Sequence, residues 1–183
     1  AFVQDVLALN PVLLQLAVFA VLLGGVFGLA ALGLTMIFGV MDVVNFAHGT
    51  LIVGGMYATW FLWSTFGLNP FLGMLIAVVL LFAAGVVISV SSIEPIIEAP
   101  QENQFIVTLG ISFVLLSAFQ ILFGAEPRSI NLQAGRSTFF GASIPHCQLY
   151  ALVIAVVAVA AVWLFLQRTE LGRAIRATAD NRD

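Results

Sequence analysis

At 183 residues, 62% hydrophobic and only 8% charged, the chain lies far from soluble globular proteins, in which about a quarter of residues are charged, and belongs to the membrane class. It has no Lys, and four of its six Arg fall in the last sixteen residues, which excludes a basic stripe for nucleic acid. The single Cys147 excludes an internal disulfide, and with only His146 beside it offers no metal site.

The charges mark out the spans. No Asp, Glu, Lys or Arg occurs at 6–41, 43–93, 103–125 or 137–167, and charges are costly at the bilayer centre. A membrane helix needs about 20 apolar residues. The N-terminus lacks a basic leader region and its apolar run exceeds signal-peptide length, so the first span itself is expected to direct insertion.

The first apolar run, 11–41, is glycine-rich, and Gly24 with Gly28 forms a small-xxx-small pair that lets another helix approach. It reads either as one long tilted helix or, preferred here, as a span over 12–32 followed by a shorter helical piece from 34 into 44. A second apolar stretch covers 50–66, so the second span runs over 34–66 with a break near 42–49. "FGLNP", 66–70, is a tight turn. A span over 71–90 precedes the polar "SSIEPIIEAPQENQ", 91–104, which reads as a loop. A span at 105–123, a long loop at 124–148, a last span at 149–166 and a polar helical tail at 167–183 complete the pattern.

The fold class is thus all-α: a polytopic transmembrane helical bundle of about five spans, one helix being discontinuous. Arg168, Arg173, Arg176 and Arg182 follow the last span directly, which places the tail in the cytoplasm. Counting back puts 91–104 in the cytoplasm and 124–148 and the N-terminus outside. If the region around 33–49 re-enters instead of crossing, the N-terminus changes side.

Two stretches carry candidate function. Asp42, Asn45 and His48 interrupt an apolar run, where unsatisfied polar groups cost several kcal/mol each. They form either a short wet interfacial loop or a break between half-helices, buried beside a solute path, whose freed backbone groups line a gate. Asp42 and His48 do not share a helical face, and no Ser or Cys forms a nucleophile pair with them, so catalysis is not expected.

In the tail, Thr169 is a candidate N-cap with Glu170 in the first turn. Leu171, Ala174, Ile175 and Thr178 then share one face, and Arg173, Arg176 and Asp180 another. This short amphipathic helix reads either as a positive-inside anchor or as a segment that docks in a partner's groove.

On these motifs the chain resembles a known family. "LGLTMIFGVMDVVNFAHGTLIVGGMYATW" (32–60), "TLGISFVLLSAFQILFG" (108–124) and "TELGRAIRATADNRD" (169–183) are similar, in the same order, to signature stretches of the inner-membrane permeases of branched-chain amino-acid ABC transporters. One departure is local: where the family commonly has a basic "ER…RPLR" stretch after the third span, this chain reads "SSIEPII". Pro95 matches, but Glu94 and Ile97 stand where Arg is usual.

The resemblance implies an ATP-driven bacterial importer that moves Leu, Ile or Val across the inner membrane by alternating access. It implies the first half of an inverted-repeat permease, and so a chain that continues beyond the present one. The implied partners are cytoplasmic ATP-binding subunits, a second permease subunit and a periplasmic substrate-binding protein, besides the lipid bilayer. No enzyme activity or cofactor of its own is expected, since ATP is hydrolysed by a partner.

Asn45, Phe46, His48 and Gly49 are then expected beside the substrate path. Thr169, Glu170, Leu171, Gly172, Arg173, Ala174 and Arg176 are expected in a coupling helix docked on an ATPase subunit. Permeases for urea or short amides, and an ATP-independent channel for small neutral solutes, are the alternatives; a channel has no need of the tail helix.

Overall fold

A computed structural model describes residues 2–41, 43–132, 135–139 and 142–180. Six α-helices and one β-hairpin make up the described chain: α1 Phe2–Met41, α2 Ala47–Phe66, α3 Pro70–Ile88, α4 Gln101–Phe123, β1 Arg136–Phe139, β2 Ala142–Pro145, α5 His146–Arg168 and α6 Glu170–Asp180. Four helical stretches are long and apolar enough to cross a membrane: Val12–Met41, Pro70–Ile96, Gln101–Phe123 and His146–Arg168. Most of their large apolar side chains are exposed, as expected where lipid takes the place of a protein core.

The polytopic all-α reading holds, with differences in detail. Only four described helices meet the hydropathy of a span, not five. The remaining one, α2, has span length, but His48, Thr50, Tyr57, Thr59, Trp60, Trp63 and Ser64 keep it below the hydropathy of a span. No interruption follows Leu32, because α1 continues unbroken to Met41. A glycine in a helix interior costs about 1 kcal/mol. Opening the backbone in hydrocarbon costs several times that, so the helix persists. The interruption falls at 43–46, where Asn45 offers the backbone a competing partner.

The loop expected at 91–104 is shorter and more ordered. α3 runs into a π-helical turn, Ser89–Ile93, and a 3-10 turn, Glu94–Ile96. α4 then starts at Gln101, behind Pro100, with Glu102 favourably placed in its first turn. The stretch 124–148 is not wholly irregular either: β1 and β2 pair antiparallel, Arg136 opposite Pro145 and Thr138 opposite Ser143.

The chain separates into two compact units, Ala1–Thr35 with Leu132–Asp183, and Met36–Asn131. In the first unit, Gln15 of α1 holds the hairpin. Its Nε2 donates to the Ser143 carbonyl at 2.9 Å and its Oε1 accepts from the Ser143 N–H at 2.7 Å. Both backbone groups of Ser143 therefore face away from β1. Leu152 of α5 packs against Gly25, while Gly24 and Gly28 have open space beside them.

In the second unit α2 and α3 form an antiparallel pair. Gly67 takes the left-handed conformation (φ +63°) that ends α2, and its N–H bonds to the Trp63 carbonyl at 3.0 Å. The Asn69 Oδ1 accepts from the Phe71 N–H at 3.0 Å and Pro70 opens α3. The two central glycines of α2 let neighbours close in: a Cβ at Gly54 would lie 2.8 Å from Phe119 of α4, and one at Gly55 2.8 Å from Leu81 of α3.

Candidate functional site

The first candidate region is the break at 43–46. Val43 and Ala47 are fully buried and Asn45 is 6% exposed, so this is not a wet surface loop. The Asn45 Oδ1 accepts from the Ala47 N–H at 2.9 Å, and its carbonyl accepts from the His48 N–H at 3.2 Å. Asn45 thus satisfies two of the amides that the start of α2 leaves without an intrahelical partner. Its side-chain oxygen is committed to the backbone.

The other side of the break is held by α4. Thr108, with no exposed surface, donates its hydroxyl to the Val44 carbonyl at 3.2 Å and is equally close to its own Phe105 carbonyl. Phe46, half-exposed, meets Phe105 edge to face at 5.6 Å. One turn earlier, Gln104 is 5% exposed, and its Nε2 donates to the Ile97 and Ala99 carbonyls at 3.1 and 3.0 Å. One turn later, the Ser112 hydroxyl lies 2.6 Å from that of Thr50 on α2.

Gln104, Thr108 and Ser112 recur at four-residue spacing, so one stripe of α4 carries all three. Beyond them the seam between α2 and α4 becomes aromatic. Tyr57 stacks on Phe123 at 4.7 Å and Trp60 meets the same ring edge to face. Arg128 lies 4.9 Å above the Trp60 ring and donates to the Phe123 carbonyl at the end of α4.

The break therefore sits at the same end of its unit as the turn between α3 and α4, level with the first two turns of α4. His48 is half-buried within α2, and Gly49 is exposed with open space around it. Asp42 lies outside the described residues. The structure brings Asn45 and Phe46 against α4, and the partners it adds, Gln104, Thr108 and Ser112, are ones that the sequence reading passed over. Their four-residue spacing was the available signal, hidden because Gln104 closes the polar stretch read as a loop while Thr108 and Ser112 lie in the apolar run that follows.

The second candidate region is the corner between α5 and α6. Thr169 leaves the helix in an extended conformation (φ −93°, ψ 153°). Its hydroxyl donates to the Phe165 carbonyl at 2.7 Å and accepts from the Gly172 N–H at 2.9 Å. The Thr169 N-cap is thus present in the geometry. Gly172 is buried against the end of α5: a Cβ there would run into the Phe165 carbonyl and stand 2.8 Å from that of Leu166.

With Gly172 facing inward, Leu171, Arg173, Ala174 and Arg176 are exposed and Ile175 is half-buried. Leu171 is 70% exposed, a large apolar side chain on a helix that also carries two arginines. Arg182 lies outside the described residues. Among the described residues no group of three or more His, Cys, Asp or Glu could hold a metal ion.

Comparison with known proteins adds a family. A family model described as the permease component of branched-chain amino acid transport systems matches residues 16–183. The high-affinity branched-chain amino acid transport system permease protein BraD of Pseudomonas aeruginosa is 28% identical, over 92% of this chain and 59% of its own length. LivH of Escherichia coli, of the same description, is also 28% identical, over 88% of this chain and 57% of its own. A probable branched-chain amino acid transport permease protein LivH from Methanocaldococcus jannaschii is 26% identical over 88% of this chain. The chain thus spans a little over half the length of the curated relatives it matches. No solved structure matches it.

Proposed function

Because the chain belongs to the family of permease components of branched-chain amino acid transport systems, we propose that it is the membrane-spanning subunit of an ATP-driven importer for leucine, isoleucine or valine. The match over 16–183 carries this reading, and four helices of membrane-crossing length and hydropathy support it. No chemistry is asked of the chain. ATP is bound and hydrolysed by cytoplasmic partner subunits, a periplasmic binding protein delivers the amino acid, and a second permease subunit completes the path in the inner membrane.

In this reading α6 is the coupling helix. Leu171 supplies an exposed apolar contact, while Arg173 and Arg176 supply charge-assisted contacts to the ATP-binding subunit. Thr169, Glu170 and Gly172 shape the corner, and Ala174 keeps the exposed face low. In the same reading the break near Asn45, Phe46, His48 and Gly49 borders the substrate path.

The test is reconstitution. Vesicles holding the chain with its ATP-binding, second permease and binding-protein subunits should take up labelled leucine only when ATP is present inside the ATP-binding compartment. Uptake without ATP would establish a channel instead. Uptake of urea with no uptake of leucine would replace the substrate class.

A further inference from the structure

We infer that Gln104 and Thr108 are positioning residues that latch the α1–α2 break and the α3–α4 turn to one short stretch of α4, so that the two interruptions open together. In both places backbone carbonyls fall out of the helical ladder. Such acceptors are costly when buried without a partner. At the turn, the Ile97 and Ala99 carbonyls are taken by the two amide hydrogens of Gln104. At the break, the Val44 carbonyl is taken by Thr108.

Both side chains are almost wholly buried, so water does not stand ready to replace them. They lie one turn apart on the same helix, and a helix moves as a rigid piece over so short a distance. A shift of the start of α4 that releases one set of bonds therefore releases the other. This is coupling through a physical element with two states, held or released. It goes beyond the transport reading and does not depend on which solute crosses.

Hydrogen–deuterium exchange on the full chain in lipid nanodiscs tests it, followed over 43–50 and 97–104. In the unmodified chain the two segments should share one opening free energy, their protection falling in parallel as temperature rises. Thr108→Val keeps the side-chain shape and removes the donor. It should speed exchange about fivefold or more in both segments. Gln104→Met should do the same in both.

Thr108→Ser, which keeps the hydroxyl, should stay at the unmodified rates. The inference is overturned if each variant loosens only the segment its own side chain touches, or if Thr108→Ser behaves like Thr108→Val. An equal rise across 74–84 in α3 also overturns it, because general loosening needs no latch. Independent opening of the two segments in the unmodified chain overturns it without any variant.

Discussion

Single side chains at this chain's corners do two tasks at once. Thr169 both donates and accepts through one hydroxyl, closing α5 and opening α6. Gly172 is there because nothing larger fits against the Phe165 and Leu166 carbonyls. Gly172→Ala should therefore push α6 off the end of α5, at a cost of about 1–3 kcal/mol for overpacking against backbone. Faster amide exchange at 170–176, with the amides of α5 unchanged, is the expected result. Asn45 was legible as an anomaly in the sequence, an amide where hydrocarbon was expected. Its duty was not, because a cap is recognised only once the helix start is known. That start lies at Ala47, three residues before the apolar run resumes.

At the scale of the element, α6 is the one helix among the described residues whose polar and apolar residues separate cleanly by face, and periodicity alone was enough to find it. We propose that this exposed helix transmits motion to the ATP-binding partner. The double variant Arg173→Glu with Arg176→Glu should leave ATP hydrolysis by the partner running while leucine uptake falls at least tenfold, two like-charge contacts costing more than about 1.4 kcal/mol together. Unchanged uptake in reconstituted vesicles would remove both arginines from the coupling. The hairpin was the element least visible beforehand. Two strands of four residues lie at the lower limit of the length at which alternation is read, and the arginines and prolines around them read as loop.

For the whole molecule, hydropathy found the long helices but misplaced their ends, because the termini are set by polar residues outside the window that detects a span. α4 begins four residues early for this reason, on Gln101–Gln104. The proposed sidedness has a direct check, since α5 has 23 residues and so extends about 35 Å, enough to cross the hydrocarbon layer. Cys147 near its start is the chain's single cysteine and is exposed. A thiol reagent that cannot cross the membrane should label Cys147 from the outer face of intact cells. A cysteine introduced at Arg176, in a Cys147→Ser background, should react only after the membrane is opened. Labelling of both from outside would refute the assigned sidedness.

Gln15 covers one edge of the hairpin. An isolated two-stranded ribbon has two bare edges, and copies can add to each in turn, which is how fibres grow. Here the glutamine amide already occupies the middle of the β2 edge, in the manner of a third strand. One polar residue in an otherwise apolar helix thus takes up the backbone groups that the described hairpin would leave bare on its β2 side.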